Sequence, residues 1–372
     1  METTVHNMVI VGAGQAGLST AAIAKEAGIE PVLIEAGDAP VGSWPHYYDS
    51  LRLFSPRELS TLPGRTMEGA PTGYPGKEEI IEHFRETAEG LGVEIRTGTR
   101  VVGATVDDDL VYHLEVEGGE TVSTRTVVAA TGSFGNPHRP DLPGLDGFTG
   151  SVVHSAEYRS PSPYEGQRVL VVGAGNTGVQ LAVELRDKAE VSLVRRKPVV
   201  LVDPMATGRD FHYELFDGFG DLPFEWLGAM PGAEETGEVS MVVDIGGYRE
   251  LFERGEIDVR DPFLRLEGDS VVWGEEDRER ADAVILATGY RPAVGYLEGL
   301  GVLDEKGNPR HRNGLSLKRP GIAFVGFDLN ISLYSNSVHG AVRDAEAVMP
   351  ALSAYISRAF EKGFTGFTSR PF

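Results

Sequence analysis

The chain contains one pattern twice: an apolar strand, a glycine-rich turn, a small-residue helix and a second strand. No other feature of the sequence restricts the fold as strongly. The first copy reads NMVIVGAGQAGLSTAAIAKEAGIEPVLIEAG and the second RVLVVGAGNTGVQLAVELRDKAEVSLVRR, their first glycines, Gly12 and Gly173, 161 positions apart. In each, an uninterrupted apolar run (8–11, and 169–172 within a strand at 168–172) predicts a strand buried on both faces, as in a parallel sheet. Helices are predicted over 18–27, stopped by Gly28, and over 176–188, followed by strands at 31–34 and 190–194. Two such units a domain's length apart predict an α/β protein with two Rossmann-like dinucleotide-binding domains.

Each residue type in the turns has a physical task. Gly12 permits the tight turn after the strand, Gly14 lets backbone approach a pyrophosphate, and Gly17 lets the helix pack close to the sheet. Gln15 and Ala16 open the helix, whose free N–H groups and positive dipole end suit phosphate. Glu35 ends the second strand, where a carboxylate can bond both ribose hydroxyls of an adenosine. In the second copy Gly173, Gly175 and Gly178 repeat the turn around Asn176 and Thr177. That unit ends on Arg195, Arg196 and Lys197 instead of an acid. A carboxylate there would repel a 2′-phosphate, whereas guanidinium groups clamp one, so the second site favours NADPH over NADH. Two further segments match each other, ATGSFGNP with Thr131 and Gly132, and ATGYRP with Thr288 and Gly289. Each follows an apolar strand and turns beneath a bound cofactor.

Between the units lie a loop-rich stretch (42–76), a helix near 77–91 and short strands near 93–97, 101–106, 111–116 and 121–130. Pro- and Gly-rich sequence over 136–166 reads as a domain crossing. Residues 204–238 show no clean period but hold Phe211, Tyr213, Phe216, Phe219, Phe224 and Trp226, as a substrate wall or as ordinary core. Strands return near 256–259, 270–273 and 283–287. A last strand (322–325) and a helix (338–357) return to the first domain and make it discontinuous. His339, at that helix start, reads as a cap.

Composition then removes whole classes of function. With no cysteine among 372 residues, disulfides, zinc–thiolate sites, iron–sulfur ligation and a CxxC redox pair are excluded. A net charge of −22 repels phosphate backbones and anionic lipid, so neither nucleic acid nor a membrane surface is an expected partner. The longest apolar runs are strand-length, and no targeting segment is visible, which predicts a cytoplasmic location.

One further motif, FTGSVVHSAEYR, carries Phe148, Gly150 and His154 in the spacing F-x-G-x-x-x-H and closes on Tyr158–Arg159. With Gly42–Ser43–Trp44, Tyr74–Pro75–Gly76 and ATGYRP, it makes the chain resemble the class B flavoprotein monooxygenases over nearly its whole length. The Tyr ending is similar to the flavin-containing monooxygenase form and departs from the Trp-ending Baeyer–Villiger form. The resemblance implies an FAD domain of residues 1–155 and 305–372, with an NADP domain of residues 156–304 inserted. It implies FAD contacts from Ser43, Trp44, Val102 and Asp328 besides the first turn, Glu35, Thr131 and Gly132. It further implies NADPH-driven oxygenation of a small organic substrate (a sulfide, amine or ketone) by dioxygen through a flavin hydroperoxide. Apart from the resemblance, a homodimer is the default expectation for a chain of this kind. In the animal enzymes of this type an Asn is thought to hold the oxygenated flavin; here Phe54 stands at that position. Arg52 either stabilises flavin charge or pairs with an acid. His154 either orders the domain junction or contacts NADP. The alternatives are a flavoprotein reductase or oxidase, passing NADPH electrons onward or to peroxide, and a non-catalytic dinucleotide sensor.

Overall fold

A computed structural model describes residues 4–219 and 239–361. Phe224 and Trp226 of the aromatic stretch lie outside the described residues, as does the segment after 361.

The first domain is built on strand β1 (Val5–Val11), helix α1 (Gln15–Glu26) and strand β2 (Pro31–Ile34). Gly28, at φ +76°, ends the helix in the left-handed conformation that glycine adopts without strain. Helix α2 (Lys77–Leu91) follows, its first turn closed by Glu79 Oε2 accepting from the Gly76 N–H at 2.8 Å. Next come β3 (Glu94–Arg96), β4 (Val101–Val106), β5 (Tyr112–Val116) and β6 (Thr121–Ala129). β1 sits between β2 and β6, parallel to both, and its residues 8–11 are at most 4% exposed. That burial on both faces is why this strand reads as a continuous apolar run.

The second domain starts earlier than the sequence suggests. β7 (Ser151–His154), placed by sequence within the first domain's 1–155, hydrogen-bonds in the second sheet. That sheet runs in the order β12 (Asp258–Arg260), β9 (Glu190–Val194), β8 (Arg168–Val172), β16 (Ala283–Leu286), β7, every pair parallel. Helix α3 (Asn176–Leu185) follows β8 and ends three residues before the predicted 188. Two small sheets decorate the domain. One pairs β10 (Val199–Val202) with β11 (Ser240–Val243); the other joins β13 (Arg265–Glu267), β14 (Ser270–Val272) and β15 (Arg278–Arg280). Between β10 and β11 the aperiodic stretch contains helix α4 (Phe211–Phe219), which sequence periodicity did not reveal; α5 (Tyr248–Glu253) follows β11.

The chain then returns to the first sheet through β17 (His311–Arg312), β18 (Leu315–Ser316) and β19 (Ile322–Phe324), with β19 parallel to β6. Val294, Leu297, Leu300 and Val302, all expected in the inserted domain up to 304, pack instead in the core formed by the β4–β5 hairpin and the first sheet. Helix α6 (Val338–Glu361) lies against α1, where Ala341, Ala345 and Val348 meet Leu18, Ala21 and Ala24 in one core. Small residues on both faces let the two helices approach closely. Among the described residues no helix is long and apolar enough to cross a membrane.

Candidate functional site

At the first turn the geometry requires glycine twice. Gly12 has φ +104°, and a Cβ there would stand 2.5 Å from the Ala130 carbonyl oxygen. A Cβ on Gly17 would lie 1.8 Å from the Gly12 carbonyl oxygen, so α1 could not seat on the turn. Gly14 precedes α1 with no side chain capping the helix and no acid in the first turn. The leading N–H groups, at Gln15 and Ala16, are left for an anion. Glu35 is buried at the tip of β2. Its Oε2 accepts from Ala13 N–H at 2.7 Å and its Oε1 from Gly37 N–H at 2.8 Å, which fixes the carboxylate beside the turn with lone pairs to spare. Ser43 and Trp44 lean over this turn: Gly42 abuts Gly14, and Trp44 Nε1 donates to Gln15 Oε1 at 2.9 Å.

The second turn repeats the backbone and differs at its rim. Gly173 has φ +111°, and a Cβ on Gly178 would again lie 1.8 Å from a carbonyl oxygen, that of Gly173. α3 likewise has no capping side chain and no acid in its first turn, and Thr177 is half-buried there. Asn176 Oδ1 accepts from Val243 N–H at 3.0 Å, tying β11 to the helix start. Gly175, unlike Gly14, faces open space. Arg195 lies 3.6 Å from Asp261 and Arg196 is exposed, so a basic rim borders this turn where an acid borders the first.

The carboxyl ends of the two sheets are clasped together, and dinucleotides bind at such ends. Thr131 Oγ1, just past β6, donates to Ala293 O at 2.8 Å, and Gly132 O accepts from Ala293 N–H at 2.9 Å. Thr288 Oγ1, just past β16, donates to His138 O at 2.5 Å. His154 braces the second sheet's side of this junction. Its Nδ1 accepts from Ala156 N–H at 3.1 Å, so the proton sits on Nε2, which donates to Gly289 O at 3.1 Å. The ring is fully buried, and burial pushes its pKa below the ordinary histidine value. With both nitrogens engaged by backbone, His154 has the geometry of a positioning residue, the first of its two expected roles. Phe148, Gly150 and Tyr158 of the same motif also serve packing. A Cβ on Gly150 would collide with Asp282 O at 2.5 Å, and buried Tyr158 donates to Glu184 at 3.1 Å.

The remaining expected residues scatter around the clasp. Arg52 is exposed and forms no ion pair among the described residues. Val102 projects its side chain to solvent from β4, so only its backbone is available to a ligand. Asp328 is exposed and accepts from Asn336 Nδ2 at 3.2 Å. His339 does not cap α6; Ser337 does, accepting from Gly340 N–H at 3.0 Å, while the His339 ring packs on Phe216 at 4.3 Å. Phe54 is 39% exposed and stacks on His212, ring centroids 6.1 Å apart.

Residues 9–206 match the family described as pyridine nucleotide-disulphide oxidoreductase. The indole-3-pyruvate monooxygenase YUCCA1 of rice is 30% identical over 84% of this chain and 86% of its own length. An uncharacterized CzcO-like oxidoreductase of Geobacillus kaustophilus is 28% identical over 91% of this chain and 96% of its own. A solved flavin-containing monooxygenase from Stenotrophomonas maltophilia superposes with a TM-score of 0.81 at 27% identity, covering 94% of this chain and 98% of that one. The chain is a class B flavoprotein monooxygenase.

It is therefore a flavin-dependent oxidoreductase of the FAD- and NADP-using kind. The residues present fit both groups: two uncapped helix starts on glycine turns, with an acid at one rim and bases at the other. Sequence reasoning missed one buried cluster that joins a loop of the first domain to the start of α4. Tyr74 Oη donates to Asp210 Oδ2, and Asp210 Oδ1 accepts from both Nδ1 and the backbone N–H of His212, at 2.7 and 2.9 Å. These partners are 136 residues apart in sequence, and the only local signal was the aromatic stretch that begins at Phe211.

Proposed function

We propose that the protein uses NADPH and dioxygen to insert one oxygen atom into a small organic substrate, an amine, a sulfide or a ketone, in the cytoplasm and as a homodimer. The clasp supports this reading most directly, because it joins the carboxyl ends of two sheets that each carry an uncapped glycine turn. In this reading the turn at Gly12, Gly14 and Gly17, with Gln15, Ala16, Glu35, Ser43, Trp44, Thr131, Gly132, Asp328 and the backbone at Val102, holds FAD. The turn at Gly173, Gly175 and Gly178, with Asn176, Thr177, Arg195, Arg196, Thr288 and Gly289, holds NADPH. FAD, when bound, supplies the redox chemistry: it takes hydride from NADPH and activates dioxygen.

What the chain contributes is placement. Glu35 fixes the adenosine end, the free N–H groups of α1 and α3 neutralise the pyrophosphates, and the Thr131 and Thr288 hydroxyls lock one segment to the other. His154 holds the Gly289 carbonyl and with it the turn that borders the second site. Arg52 supplies positive charge near the first site, and Phe54 walls the cleft from water.

A second reading, an oxidase that releases peroxide, is favoured by one observation. Phe54 supplies no hydrogen bond where the similar animal enzymes have an Asn. NADPH consumption, oxygen uptake and peroxide, measured together over a panel of sulfides, amines and ketones, separate the two. An oxygenated product with little peroxide supports the monooxygenase. Peroxide accounting for all the NADPH, with every substrate, overturns it in favour of the oxidase.

A further inference from the structure

The segment 42–49 begins against the first turn and ends inside the second domain. At its start Gly42 has φ +58°, and a Cβ there would stand 2.7 Å from Gly14 Cα, so backbone rests directly on backbone. Two residues on, Trp44 bonds Gln15, the first residue of α1, and its ring meets Phe84 of α2 edge-on at 5.8 Å. Tyr48 then leaves the first domain. It is 3% exposed and shares the core of the second domain with Tyr158, Val179 and Ala182. Its hydroxyl donates to Gln180 Oε1 of α3 at 2.5 Å. One turn further along α3, Glu184 accepts from Tyr158, whose ring lies 6.3 Å from that of Tyr48. One short segment thus connects the two helices whose starts form the two dinucleotide turns.

The segment is built to transmit a shift and not to absorb one. Trp44–His46 form a single tight helical turn, with Pro45 fixing one backbone angle. His46 N–H donates to Ser43 O at 3.0 Å and Tyr47 N–H to Trp44 O at 3.2 Å, which closes that turn. Lys77, buried at the start of α2, grips the far end. Its Nζ donates to Asp49 Oδ1 at 2.9 Å and to Tyr47 O at 3.2 Å. Asp49 N–H in turn donates to Arg159 O of the second domain at 2.9 Å. The threonine bonds of the clasp, by contrast, tie the segments that follow β6 and β16 and touch neither α1 nor α3. A tyrosine hydroxyl in an apolar core must keep its acceptor, because losing it costs the full desolvation of the group. Gln180 therefore follows Tyr48, and α3 follows with it.

We infer that Tyr48 is a positioning residue for the second dinucleotide site, coupling it through Gln180 and α3 to the segment that covers the first. This goes beyond the proposed function but rests on its assignment of FAD to the first turn and NADPH to the second. A dinucleotide in the first turn contacts Ser43 and Trp44, as assigned above, and restrains the segment. The start of α3 is then already held when the second dinucleotide binds, so less freedom is lost at that step. Coupling of this kind is reciprocal. Whatever bound FAD adds to the affinity for NADP+, bound NADP+ adds to the hold on FAD.

The test follows FAD release on dilution of the FAD-loaded full chain, by the rise in flavin fluorescence, with and without saturating NADP+. NADP+ is expected to slow release at least about fivefold in the wild-type protein and less than about twofold in Tyr48→Phe. Calorimetry on the same loaded proteins should find NADP+ bound at least about threefold more weakly by Tyr48→Phe. Gln180→Leu should behave as Tyr48→Phe does, and joining the two substitutions should add nothing further. Tyr74→Phe, which removes a different bond between the domains, should keep the full NADP+ effect. An unchanged NADP+ effect in Tyr48→Phe and Gln180→Leu would overturn the proposal. An equal loss of the effect in Tyr74→Phe would also overturn it, as the mark of general loosening between the domains. Absence of any NADP+ effect in the wild-type protein, with both dinucleotides bound, would overturn the coupling and leave the cofactor assignment standing. A chain that takes up no FAD, or no NADP+, would overturn the assignment and the coupling together.

Discussion

The two glycine turns share a backbone and differ in how they are covered. At the first, Gly42–Trp44 leans on Gly14 and Gln15, and the loop after β19 closes in, with Gln15 Nε2 reaching Asn336 O at 3.5 Å. That loop is held by Asp344 of α6, which accepts from Gly326 N–H, Asn330 Nδ2 and Ser335 Oγ at 3.1, 2.9 and 2.8 Å. The second turn is bordered by β11 through Asn176, while Gly175 faces open space and the basic rim is partly exposed. In the proposed assignment, the covered turn retains its dinucleotide and the open one exchanges it. That division suits an enzyme with a resident flavin and a consumed reductant.

The largest effects should come from filling the turns. In Gly17→Ala the added methyl collides with the Gly12 carbonyl, and the variant is expected to purify colourless, with circular dichroism checking that it is folded. Gly178→Ala makes the same collision with Gly173 but should stay yellow, while flavin reduction by NADPH slows at least a hundredfold. A yellow Gly17→Ala protein, or loss of colour in Gly178→Ala, would break the assignment of turns to cofactors. Next in size is the rim. Arg195→Glu with Arg196→Glu places acids where a 2′-phosphate would sit, and kcat/KM should shift from NADPH toward NADH at least tenfold, about 1.4 kcal/mol.

The smallest effect concerns the cover of the first turn. Burial pushes the Asp344 carboxyl up to about 6 from 3.8. Because the folded value is the higher one, this group's contribution is full below about pH 4 and lost as pH rises through about 6. The span is of order 3 kcal/mol at most. Asp344→Asn should flatten that part of the profile, read as melting temperature between pH 5 and 7.5, and should leave a weaker hold on FAD than on the fold. A wild-type profile that rises with pH over this window, with Asp344→Asn unchanged from it, would contradict the cause given.

How much of this was legible in the sequence follows from how local each feature is. The turns were legible because Gly17 and Gly178 answer to a carbonyl five residues back, and Gly12 and Gly173 to the positive φ of the turn itself. The motif around His154 was legible as a pattern but not as a role. Its partner, the Gly289 carbonyl, lies 135 residues away. β7 was misplaced because four residues at a sheet edge carry no sign of which sheet they join, and only pairing with β16 decides it. Helix α4 was hidden because it is short, Phe211–Phe219, and its apolar period spans too few turns to stand out from the aperiodic stretch around it. The Tyr74–Asp210–His212 cluster was out of reach because no local rule links a loop tyrosine to a dyad in another domain.

The proposed assignment gives FAD to the acidic first turn and NADPH to the basic second turn. It is tested most directly by anaerobic stopped-flow reduction of the purified flavoprotein by NADPH and by NADH. Bleaching of the flavin by NADPH, with an apparent Kd at least tenfold below that for NADH, is the expected result. Reduction by NADH with equal or greater affinity would contradict the claim.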